Sequence, residues 1–190
     1  MKSLLVLAAG VISSGVMAAA VTYDIDGNHS YPSFEADHMG GLSVWRGKFT
    51  KTSGKVVLDR AAKSGSIDVT VATDSIDYGH EKMNEHARSP EMFDVGKFPI
   101  ATFQGKFSKF AGGNPTQATG TFTMKGVSQP LTLTIRQFLC KKNPMSGKEV
   151  CGADATGTFD RSKFGLDYGK AYGFKMGVTL QIQVEAIRAD

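Results

Sequence analysis

From residue 21 onward the chain alternates apolar and polar residues with a period of two. The clearest run is Gly177 to Ile187, where Val178, Leu180, Ile182, Val184 and Ala186 share one phase and Thr179, Gln181, Gln183 and Glu185 the other. A period of two places successive side chains on opposite faces of a strand, one face buried and one wet. The same pattern recurs in Ile67/Val69/Val71 against Asp68/Thr70, in Ala101/Phe103/Gly105/Phe107 against Thr102/Gln104/Lys106, and in Leu131/Leu133/Ile135 against Thr132/Thr134/Arg136. Glycine-bearing turns are predicted at Thr52-Ser53-Gly54, Lys63-Ser64-Gly65, Gly112-Gly113-Asn114-Pro115 and Lys125-Gly126-Val127-Ser128. The pattern predicts roughly eight to ten antiparallel strands, hence an all-β sandwich or closed barrel. Gly47, Gly105, Gly120 and Gly157 fall inside strand patterns, where strands bend sharply or another group approaches the backbone, and this favours the barrel.

Two segments depart from the alternation. Asp77 to Asp94 is rich in helix formers, sets Met83 and Ala87 four apart on one face, and places Pro90 where a second short turn begins; it reads as a helical cap over one barrel mouth. At the start, Met1-Lys2-Ser3 precedes an apolar run from Leu4 to Val16 and the small residues Ala18-Ala19-Ala20. This is the form of a cleavable export signal, expected to be cut after Ala20, since the run is short for a membrane span. The expected organisation is a signal peptide over 1–20 and one β-barrel domain over 21–190, in the periplasm.

Composition narrows the function. The chain has 190 residues, 41% hydrophobic and 21% charged, with a formal net charge of +4. Bases and acids interleave, so no field suited to nucleic acid arises, and only mild attraction to anionic surfaces follows. Export makes Cys140 and Cys151, the only cysteines, a natural disulfide stapling a hairpin. No GxSxG, P-loop, HExxH or strand-linked GxGxxG is present, which argues against an enzyme. His29, His38, His80 and His86 match no standard metal spacing, and His38 shares the apolar phase of Phe34 and Ala36, as a core or pocket histidine would. All twelve Phe lie after residue 20, and Phe34, Phe49, Phe103, Phe107, Phe122 and Phe159 fall on inward phases. Each alone reads as core; together, interleaved with Ala and Gly, they leave room for a long apolar guest inside an eight-stranded barrel.

Several stretches together resemble the YceI-like polyisoprenoid-binding family of exported lipocalin-like barrels. They are Tyr23-Asp24-Ile25-Asp26 with His29-Ser30, Phe34 and His38; Gly47 with Phe49, Gly54 and Asp59; Ser75-Ile76-Asp77; His86 to Phe93 followed by Phe98-Pro99 and Thr102-Phe103; Gly120 to Leu133; and Asp160 to Gly165. Ala87 departs from the family's usual Leu. The resemblance implies a lipocalin-like barrel that holds an isoprenoid lipid, a polyprenyl chain or a quinone such as ubiquinone, for carriage or storage, with no covalent cofactor. Its partners would then be the lipid and a membrane surface or membrane redox partner; the oligomeric state stays open, a dimer included. A quinone-delivery role and an enzyme acting on an isoprenoid lipid or lipid phosphate are the alternatives. The expected tail contacts are Phe34, Trp45, Phe49, Phe93, Phe103, Phe122 and Leu133, with His38 beside them. For the head group the candidates are Arg88 with Ser89 and Arg161 with Ser162, each Arg equally able to tie the cap to a strand end instead. Strands of about ten residues give a barrel roughly 25 Å tall, so a long extended tail must fold back or protrude.

Overall fold

The computed structural model describes residues 19–190; all of the expected signal segment except its last two residues lies outside that range. Among the described residues there are eleven strands: β1 (Val21–Ile25), β2 (Tyr31–His38), β3 (Ser43–Phe49), β4 (Thr52–Asp59), β5 (Ser64–Ala72), β6 (Ile76–Asp77), β7 (Ile100–Ala111), β8 (Asn114–Met124), β9 (Val127–Lys142), β10 (Glu149–Asp160) and β11 (Gly177–Arg188). The one α-helix among the described residues, α1, spans Glu81–Arg88, inside the segment where the alternation fails. Eight strands close into an antiparallel barrel in the order β1-β4-β5-β7-β8-β9-β10-β11, with β11 returning to β1.

The other three strands are continuations. β1 and β2 lie end to end along β11, β1 opposite Ala186–Arg188 and β2 opposite Val178–Gln183. β3 and β4 run end to end in the same way, so 21–59 forms one long bent hairpin. The turn expected at Thr52-Ser53-Gly54 is instead strand: β4 begins at Thr52 and pairs with β5 from the outset. The chain bends two residues earlier, at Thr50-Lys51. At Gly54 the backbone adopts φ +143°, and a Cβ would sit 2.0 Å from the Asp68 carbonyl oxygen, so only glycine lets the strands approach there.

The barrel interior is filled unevenly along its length. At the floor, Tyr23, Leu58, Cys151 and Ala186 pack with Phe107, Phe110 and Phe138. The Tyr23 hydroxyl donates to Glu149 at 2.9 Å, and burial, then this carboxylate, push its phenol up to about 12. The Cys140–Cys151 disulfide joins directly opposed residues of β9 and β10 in the same layer. Midway, Phe103, Ala118, Leu131, Leu133 and Ala155 form a second layer. Gly105 and Gly120 face each other across β7 and β8; a Cβ on Gly120 would lie 2.2 Å from the Gln104 carbonyl oxygen. Near the other end, Phe34, Ile76, Phe93, Met124, Phe164 and Val178 form a third layer, against which α1 sets Ala87. Ala87 is 1% exposed, so a small side chain lets the helix sit close to the barrel.

Candidate functional site

A cavity of about 410 Å³ lies between the upper and middle layers. That size falls in the roughly 300–1,000 Å³ range of small-molecule sites. The aromatic floor closes it below; its mouth lies at the end framed by the β2–β3 hairpin, α1 and the 161–176 segment. Period-two alternation builds the wall: Phe34 and Ala36 from β2, Trp45 and Phe49 from β3, Ala101 and Phe103 from β7, Phe122 and Met124 from β8, Leu131 and Leu133 from β9, and Val178, Leu180 and Ile182 from β11. The rings meet at tilted or edge-on angles. Phe34 lies 5.9 Å from Phe49, Phe49 5.5 Å from Phe93, and Phe122 5.2 Å from Phe159. Such pairs fix ring orientations and leave a smooth apolar surface.

Of the twelve tail and head-group candidates read from the sequence, nine line this cavity: Phe34, His38, Trp45, Phe49, Phe93, Phe103, Phe122, Leu133 and Arg161. Arg88 does not. Its Nε donates to the Asp74 carbonyl at 2.9 Å and its Nη1 to Glu81 at 3.2 Å, which ties the end of α1 to the turn before β6. The guanidinium is therefore spent on the backbone outside the cavity. Ser89 and Ser162 also fall outside the lining: the Ser89 hydroxyl is buried without a partner, and Ser162 donates from N and Oγ to Asp160. Phe107 belongs to the two lower layers and is likewise not part of the wall.

Arg161 reaches the cavity but is itself anchored. Its Nη1 donates to the Leu166 carbonyl at 3.0 Å and its Nη2 to the Tyr168 carbonyl at 2.9 Å, folding the 161–176 segment around the side chain. Burial lowers its pKa from the ordinary arginine value. Asp37, the only other lining residue with a permanent charge, accepts N–H bonds from Gly40 and Lys175, both at 2.9 Å. His38 stacks 4.9 Å from Trp45 and 5.3 Å from Phe174, as its apolar phase suggested.

Other wall residues come from segments that periodicity does not describe. Tyr78, Met83, His86 and Met92 belong to the helical excursion, and Tyr168 and Phe174 to the 161–176 segment. The Tyr78 ring packs edge-on against Phe34 at 5.6 Å, and burial pushes its phenol up to about 12. His86 lies 4.6 Å from Tyr168 across the mouth. The run Tyr168-Gly-Lys-Ala-Tyr172-Gly-Phe174 carries the one available sequence signal for this part: aromatic residues spaced by glycines where alternation stops.

The model of the YceI-like domain matches residues 23–186. The chain belongs to the YceI-like family. It is 32% identical over 193 residues to a UPF0312 protein of Pseudomonas paraeruginosa, covering 98% of both chains. The crystal structure of the Campylobacter jejuni YceI protein superposes with a TM-score of 0.65 at 26% identity, covering 78% of this chain and 88% of that one. A polyisoprenoid-binding domain from Saccharophagus degradans shares the fold at a TM-score of 0.63 and 13% identity, over 88% and 99% of the two chains. In this YceI-like barrel the filled floor and the open, ring-lined upper half give an apolar tube with few polar groups, Asp37, His38, His86 and Arg161 toward its mouth and Ser30, Thr52 and Gln183 deeper in.

Proposed function

We propose that this protein binds an isoprenoid lipid in the exported compartment, tail in the tube and head at the mouth, for carriage or storage. One observation carries the reading: a cavity of about 410 Å³ whose wall is almost wholly apolar and aromatic. Each CH₂ that leaves water for such a wall contributes about 0.8 kcal/mol, so a few isoprene units offset the several kcal/mol lost on association. The likeness to a domain described as polyisoprenoid-binding supports the same ligand class. The N-terminal Lys2, apolar run and Ala18-Ala19-Ala20, with the Cys140–Cys151 bond, support the periplasm.

The mouth favours a neutral head group, a quinone or alcohol, over a phosphate. A buried anion needs a paired cation; Arg161 holds the Leu166 and Tyr168 carbonyls and has the Asp167, Asp160 and Asp37 carboxylates nearby to balance its charge, while Arg88 faces away from the tube. Trp45 is the only tryptophan and lines the cavity, so its fluorescence reports occupancy. Titration with isoprenoid quinones and alcohols of increasing length should change Trp45 emission and raise Tm, with affinity climbing until the tube is full. The matching polyprenyl phosphate should bind more weakly. If no isoprenoid alters either signal, the interior is a packed core and carriage is abandoned.

A further inference from the structure

The mouth carries apolar surface that the cavity does not use. Met39, Leu42 and Val44 stand on the β2–β3 hairpin and Tyr172 on the 161–176 segment, with Leu42 74% and Tyr172 76% exposed. These two pieces form one platform. The Asp37 carboxylate bonds both the Gly40 and Lys175 N–H groups, and Gly40 lies so near the Gly173 carbonyl that a Cβ there would sit 3.1 Å from its oxygen. Phe174 against His38 joins the platform to the cavity rim.

Charge gives the platform a preferred partner. The hairpin tip from His38 to Trp45 holds no Lys, Arg, Asp or Glu, while Lys163, Lys170 and Lys175 are exposed in the adjoining segment against Asp167 within it, the bordering Asp37 and Asp160 already accepting backbone N–H bonds. Aliphatic tips and tyrosine rings rimmed by lysines suit an interface with anionic lipid headgroups. A second copy of the chain fits less well, because a twofold contact would set the lysines of one rim against the same lysines of the other. We propose that this rim docks on an anionic phospholipid bilayer and seats the cavity mouth against it. An isoprenoid tail then passes between bilayer and barrel without crossing water. The docking stands independently of the bound lipid; the transfer rests on the isoprenoid reading.

The test is flotation with vesicles free of isoprenoids, either phosphatidylethanolamine with phosphatidylglycerol or phosphatidylcholine alone, with quenching of Trp45 by brominated chains as a second readout. The protein should float with the anionic vesicles, less so in 0.5 M than in 0.1 M salt, and little with the neutral ones. L42E/Y172E should lower binding roughly tenfold or more, and K163E/K170E/K175E should remove the salt dependence. M145E, at the opposite end of the barrel, should change nothing. Both rim variants should keep the melting temperature and still take up a detergent-dispersed isoprenoid, which separates failed docking from a failed cavity. Absence of binding to anionic vesicles, binding that the rim variants leave intact, or a dimer that L42E/Y172E dissociates in place of vesicle binding would overturn the proposal.

Discussion

Two arginines with the same sequence credentials have different roles. Arg88 and Arg161 each precede a serine and each resembles a family motif, and nothing in the local sequence ranks one above the other. The structure separates them by burial: Arg161 is 7% exposed and bonds two carbonyls of its own segment, whereas Arg88 lies on the surface side of α1. Replacing Arg161 by Met leaves both carbonyls without their donors and should cost about 2–4 kcal/mol. R88M, losing a solvent-screened pair and a carbonyl bond, should cost only about 1 kcal/mol; urea unfolding of both variants checks the ranking. The carboxylates that shape the same end set an acid limit. Asp77 is held below its ordinary value by the Gly79 N–H and then by Asn84, and Asp160 by the Ser162 hydroxyl and then the Ser162 N–H. A pKa lowered on folding adds stability that is present above the unfolded value, near 4, and is lost as pH falls through the lower folded one. Tm should therefore drop on acidification below about pH 4, and D77N should start lower at neutral pH and show a shallower acid slope.

At the scale of elements, alternation located the strands well wherever one face meets the cavity and the other water, as in β7, β9 and β11. It failed at the breaks. β1 and β2 continue each other along β11, and β3 and β4 follow them along β2 and β1, so neither the hydrophobic phase nor a glycine marks the joint at Thr50-Lys51. At Gly54 the glycine serves close strand approach rather than a turn. The 161–176 segment was legible only as an interruption, because its conformation depends on a buried arginine and on Asp37, 138 residues away from Lys175 in sequence. The disulfide is the clearest element that the sequence did foretell. It closes a loop with a sequence separation of 11, which loop-closure entropy values at roughly 3 kcal/mol. The Cys140→Ser/Cys151→Ser variant should lose about that much in denaturant unfolding, and the unmodified protein should match it once reduced. Because the bond lies in the floor layer with Tyr23 and Leu58, ligand affinity should change little in either.

For the whole molecule, function follows from a graded interior. A barrel of eight strands is just wide enough to be filled or to hold one small ligand, and this one does both, filled by Phe107, Phe110 and Phe138 at one end and open among Phe34, Trp45 and Phe49 at the other. Inward phase alone could not tell floor from wall: Phe103 and Phe107 lie four residues apart on the same face of β7, yet only Phe103 borders the cavity. The most direct test is to express the full chain, purify the protein without detergent, extract it with organic solvent and identify by mass spectrometry what comes away. A near-stoichiometric isoprenoid with a neutral head group is the predicted result. An extract with no isoprenoid, from a protein whose Tm no added quinone or polyprenol raises, would contradict the central claim.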